Sequence, residues 1–160
     1  MESQPQNTTT PQCDQALGCA GSRRAVLQQW CLQSCVAILY VFGSRAGEVR
    51  DWLEERIPHL SGSHSDVDIG VKALGNARWS TMEKVRLALD LEDFLGCSRV
   101  DLVVLDEADP FLAAEIIRGE RLYAQDTYIA DEYDLYVLRR AGDLIPLERE
   151  RIALILGQRP

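Results

Sequence analysis

The sequence predicts an α/β (α+β) domain: a small mixed β-sheet with helices packed on it and a helical C-terminal extension. Three observations carry this. Val36–Phe42, Asp66–Val71 and Arg99–Leu105 are short runs rich in β-branched and apolar residues, the signature of buried strands. Stretches with apolar residues at helical spacing lie before, between and after these runs. From Tyr128 to Leu156 the pattern is helical.

Taken in order, residues 1–21 are polar and rich in Gln and Thr, and are expected to form a disordered leader. They lack the basic start and apolar core of a secretory signal. The domain proper is expected over 22–126 and the helical extension over 127–160. A first helix is expected over Ser22–Cys35, capped by Ser22, with Val26, Leu27, Trp30, Cys31, Ser34 and Cys35 on one face. The first strand, Val36–Phe42, ends at Gly43-Ser44-Arg45-Ala46-Gly47. Residues 48–64 then form a long connection, with at most a helical turn at Asp51–Arg56 and otherwise loop around Pro58 and Gly62. The second strand reads DVDIGV. A helix follows over Ser80–Leu95, opened by the capping box Ser80–Glu83 and stopped by Gly96. After the third strand, Asp109-Pro110 is a cap and first-turn proline for a helix ending at Gly119. Arg121–Ala124 reads as a short further strand. In the tail, Pro146 is placed to open a last helix and Gly157 to close it.

Composition narrows the function. The 160 residues carry a net charge of −8, which is not the basic footprint of a nucleic-acid binder. No apolar run approaches the ~20 residues of a bilayer span, so a cytoplasmic location is expected. The five cysteines, Cys13, Cys19, Cys31, Cys35 and Cys97, are odd in number and contain no CxxC. They suggest neither a disulfide framework nor a zinc module.

The chemistry points to the acidic residues. Asp66, Asp68 and Asp101 interrupt strands that are otherwise apolar, and burying a carboxylate is costly unless it is paired or binds metal. The period of two places Asp66 and Asp68 on one face. If the third strand pairs beside the second, Asp101 converges on them. Three like charges repel, and divalent cations relieve the repulsion. Two ions about 3.5–4 Å apart are the usual means of in-line attack on phosphorus. Mg2+ suits a few carboxylates with phosphate oxygens and water. A calcium loop is excluded, because Ile69 stands where an oxygen ligand is needed and no Glu closes the loop. Gly43 lets the backbone approach a phosphate closely, Ser44 adds N–H and hydroxyl donors, and Arg45 is placed to add charge there.

These residues, GSRAG, SDVDIGV and VDLVVL, resemble the minimal nucleotidyltransferases of the DNA polymerase beta superfamily, over roughly Val26–Asp126. The resemblance implies a polymerase-beta-like nucleotidyltransferase fold. It implies that Gly43 and Ser44 hold the triphosphate of ATP, that Asp66 and Asp68 bind two Mg2+ ions, and that Asp101 holds the metal at the attacking hydroxyl and helps activate it. LAAEIIRGERLYAQD looks like the family's closing helix and strand. The link between GSRA and the acidic pair is longer here than is usual in the family.

Many such small proteins are antitoxins that attach AMP to a tyrosine of a helical HEPN-type RNase toxin. The resemblance therefore implies that partner, in a hetero-oligomer. With only His59 and His64 and no R-x4-6-H run, the chain looks like the transferase and not the RNase. The segment Glu132–Arg140 is a candidate partner surface. Two alternatives stand: a transferase acting on a small molecule such as an aminoglycoside, and a non-catalytic antitoxin that blocks its partner by contact.

Overall fold

The computed structural model describes residues 21–62 and 65–157; all of the expected leader but Gly21 lies outside them. Its elements are α1 (Arg23–Gln33), β1 (Val36–Phe42), a 3-10 turn (Gly43–Arg45), α2 (Ala46–Leu53), β2 (Val67–Ala73), α3 (Thr81–Leu95), β3 (Val100–Val104), α4 (Pro110–Ile117), β4 (Glu120–Ala124) and α5 (Thr127–Ile155). The strands form one mixed sheet in the order β3-β2-β1-β4. β1 runs antiparallel to both β2 and β4, while β2 and β3 are parallel.

The local signals in the sequence act as read. Ser22 accepts a hydrogen bond from the Ala25 amide at the start of α1. Ser80 and Glu83 close a reciprocal capping box, and Gly96 ends α3 in the left-handed conformation. Asp109 accepts from the amides of Phe111 and Leu112, with Pro110 in the first turn.

β1 is buried on both faces and divides the core. Leu39 and Val41 join Val67, Ile69 and Val71 of β2 against α1, α2 and α3. Ile38 and Tyr40 pack on the other face with Ala113, Ala114 and Ile116 of α4 and Ala130, Val137 and Ala141 of α5. The small residues let α4 and α5 approach closely. A Cβ on Gly70 of β2 would collide with Ile116.

Three expectations change. The connection after the glycine turn contains a real helix, α2, because Val49, Trp52 and Leu53 share one face and bury it. α1 stops at Gln33. Cys35 leaves the helix with φ +54° and is exposed, so it does not share a helical face with buried Cys31. The tail is one helix that runs through Pro146. A helix interior tolerates the ring by giving up one i→i−4 bond. No helix among the described residues is long and apolar enough to cross a membrane.

Candidate active site

The site is assembled at one end of the sheet by the exit of β1 and the entries of β2 and β3. Phe42, the last residue of β1, lies opposite Asp68. Gly43 then adopts φ +73°, and a Cβ there would run into Oδ2 of Asp68. Both facts require glycine. Ser44 is exposed, and the 3-10 turn runs directly into α2. The Gly43-Ser44 backbone therefore sits at the N-terminal end of a helical stretch, where amide groups and the helix dipole favour an anion. Sequence reasoning missed this support, although the spacing of Val49, Trp52 and Leu53 was its signal.

The three aspartates lie at the starts of two neighbouring strands. Asp66 immediately precedes β2, Asp68 is its second residue, and Asp101 is the second residue of β3. The parallel register sets Asp68 beside Asp101. Asp68 keeps its proton above the usual carboxylate range, first through burial, then through the charges of Asp101 and Asp66.

Arg99 stands among them. Its Nε is 3.4 Å from Asp66 Oδ2, and its Nη2 is 3.1 Å from Asp101 Oδ1. It immediately precedes β3 and lies two residues before Asp101, the spacing that puts alternate residues of an extended chain on one face, a signal the sequence reading did not use. Its side chain is 64 % exposed, so the bridge is weak and easily displaced. Among the described residues, no three His, Cys, Asp or Glu side chains are gathered closely enough to hold a metal ion as they stand. The donor set nonetheless suits a divalent cation. It consists of hard carboxylate oxygens, of which those of Asp66 and Asp101 already share the Arg99 guanidinium.

Arg45 departs from expectation. It is 5 % exposed, the only buried charged residue among those described. Its guanidinium donates to Glu48 at 2.9 Å and to the carbonyls of Ser61 and Ser65, each at 3.1 Å. In this structure the side chain is turned to one carboxylate and two backbone carbonyls of the chain itself. Nothing local points to the two carbonyls, because Ser61 and Ser65 lie 16 and 20 residues away.

The model of the family described as Polymerase beta, Nucleotidyltransferase matches residues 28–128, more than half of the chain. The chain belongs to the polymerase beta nucleotidyltransferase family.

The match brackets the glycine turn and all three aspartates of this nucleotidyltransferase. Among solved structures, a tri-AMPylated HEPN toxin of Shewanella oneidensis in complex with its MNT antitoxin is similar at 18 % identity and TM-score 0.60, covering 84 % of this chain and 96 % of that one. A toxin–antitoxin structure with AMP-PNP is similar at 18 % identity and TM-score 0.63, covering 84 % and 98 %. A MntA–HepT complex is similar at 20 % identity and TM-score 0.55, covering 84 % and 95 %. At these identities the likeness establishes the fold, a polymerase-beta-like nucleotidyltransferase fold. No curated protein matches the sequence.

Proposed function

We propose that this nucleotidyltransferase is an antitoxin that transfers AMP from ATP, with Mg2+, to a tyrosine hydroxyl of a HEPN-type RNase partner in the cytoplasm. The observation that carries the reading is the register of Asp68 beside Asp101, with Gly43 pressed against Asp68. The similar solved complexes of MNT antitoxins with HEPN toxins, one of them tri-AMPylated, supply the acceptor class.

Asp66, Asp68 and Asp101 would hold the Mg2+ ions, which supply charge neutralisation at the triphosphate and lower the pKa of the attacking hydroxyl. Gly43 and Ser44 present backbone and hydroxyl donors to the phosphates at the start of the 3-10 turn. Asp101 lies on the open edge strand, where an acceptor hydroxyl can reach it and pass on its proton. The acceptor oxygen bonds to the α-phosphorus as the bond to pyrophosphate breaks. Arg99 would have to leave Asp66 and Asp101 for those oxygens to hold a cation.

A second reading has its own support. α5 exposes Leu135, Tyr136 and Leu138, and beyond Pro146 it exposes Leu147, Ile152, Leu154 and Ile155. A surface that apolar fits protein contact and suits an antitoxin acting by binding alone. Mass spectrometry of a candidate partner after incubation with the chain, ATP and Mg2+ separates the two. The transferase reading expects a mass gain matching AMP on a partner tyrosine, lost in the Asp66→Ala/Asp68→Ala double variant although that variant still binds. No gain, with tight binding and neutralisation by both proteins, overturns it in favour of contact.

A further inference from the structure

Arg45 is placed by its motif beside the phosphate turn, yet its contacts are all with this chain. A buried guanidinium is tolerated only when its charge and donors are met. Here they are met by three groups that belong to one segment. Glu48, on the first turn of α2, accepts from Nε, and the carbonyls of Ser61 and Ser65 accept from Nη2 and Nη1. Glu48 also accepts from the Ser61 amide. Burial works against the ionised Glu48 carboxyl, but the bonds from Ser61 and Arg45 hold it below the usual range. The pair therefore ties both ends of a span: the helix that leaves Gly43-Ser44, and the backbone of Ser65, one residue before Asp66.

We propose that Arg45 is a positioning residue that fixes Asp66 relative to the Gly43-Ser44 turn, so that the metal and phosphate ends of the site keep one spacing. The inference rests on the metal-dependent transferase reading and adds a role to that site.

Arg23 provides the comparison. It holds the same connection at its other end, donating to the carbonyls of Trp52, Ile57 and Pro58 with its guanidinium over the Trp52 ring. That clamp touches neither Ser65 nor the glycine turn. Loss of Arg23 loosens the connection, whereas loss of Arg45 also frees the entry to Asp66.

The test is an electron paramagnetic resonance titration with Mn2+, alongside thermal melting and steady-state transfer, on Arg45→Lys, Glu48→Gln, Arg23→Met and Asp68→Ala. A lysine keeps the charge but cannot span three acceptors. The expectation for Arg45→Lys is about tenfold weaker Mn2+ binding and a lower kcat, with the nucleotide KM within about twofold, as when the groups that orient a metal ligand are lost. Arg23→Met should lower the melting temperature and leave Mn2+ binding as in the wild type. Should Arg45→Lys fail to fold, Glu48→Gln decides by the same readout, with a smaller loss of the same sign. Unchanged Mn2+ binding in the decisive variant overturns the proposal. A selective rise in nucleotide KM with intact Mn2+ binding also overturns it and returns Arg45 to the phosphates. If the wild type and Asp68→Ala bind Mn2+ equally poorly, the underlying reading fails instead.

Discussion

The two faces of the sheet are built from the same strands but to different ends. On the α1–α2–α3 face, β1 and β2 contribute Leu39, Val41, Val67, Ile69 and Val71, each fully buried. Trp52 of α2 and Phe94 of α3 meet edge-on at 5.2 Å to extend that core. On the α4–α5 face, the alternate residues of β2 are Asp68 and Gly70, and the helices bring four buried alanines with Ile116 and Val137. Tyr40 is buried there, but its hydroxyl donates to Asp134 of α5 at 2.5 Å, and Arg121 bridges Asp134 and Asp131. One face is closed by apolar area. The other is held open at one end, where the carboxylates emerge. A single strand can serve both because its side chains alternate.

Substitutions at adjacent positions of β2 test this division most severely. Asp68→Ala should reduce transfer to background while the protein stays folded, read by partner mass and circular dichroism. Asp68→Asn should also raise the melting temperature of the metal-free protein. The sign follows from the raised pKa. A carboxyl that holds its proton more tightly when folded costs stability as pH rises from the ordinary range near ~3.9 through the raised value. Melting of the metal-free wild type should thus fall with pH across that window, and Asp68→Asn should flatten the fall. One residue further on, Ile69→Ala should do the opposite. It empties a site of 0 % exposure in the closed core, costs about 3–4 kcal/mol, and should leave Mn2+ affinity unchanged in the folded fraction, as measured by denaturant melts and a metal titration. Equal effects of the two substitutions on stability would break the comparison.

Smaller effects sharpen it. Arg99→Ala removes the cation that bridges Asp66 and Asp101, so Mn2+ binding should tighten a few-fold; weaker binding would make Arg99 part of the metal support. Tyr40→Phe should cost about 1–2 kcal/mol in urea melts. It takes a donor from Asp134, and its influence on transfer should come only through the docking of α5.

The sequence made the acidic chemistry legible because that chemistry is local. A strand period places Asp66 and Asp68, a glycine marks the turn, and capping residues mark α3 and α4. The placement of Asp101 needed one further condition, parallel pairing of β3 with β2, which the structure meets. What escaped was set by tertiary contact. α2 is eight residues long with only three buried side chains, too short for its periodicity to stand out beside Pro58 and Gly62. Arg45 sits in a motif that suggests phosphate, but its partners are backbone carbonyls fixed by the folded connection. Pro146 looked like a boundary because proline usually is one, yet α5 continues through it.

The strand order carries a mechanical consequence. β2 lies between β1 and β3, bonded on both sides, whereas β3 is an edge. Asp68 is therefore carried by a strand hydrogen-bonded on both sides, and Asp101 by an edge strand bonded on one. Hydrogen exchange should be slow at β2 and faster at β3. The two aspartates thus differ in how firmly the sheet holds them, one on a strand paired along both sides and one on a strand paired along a single side.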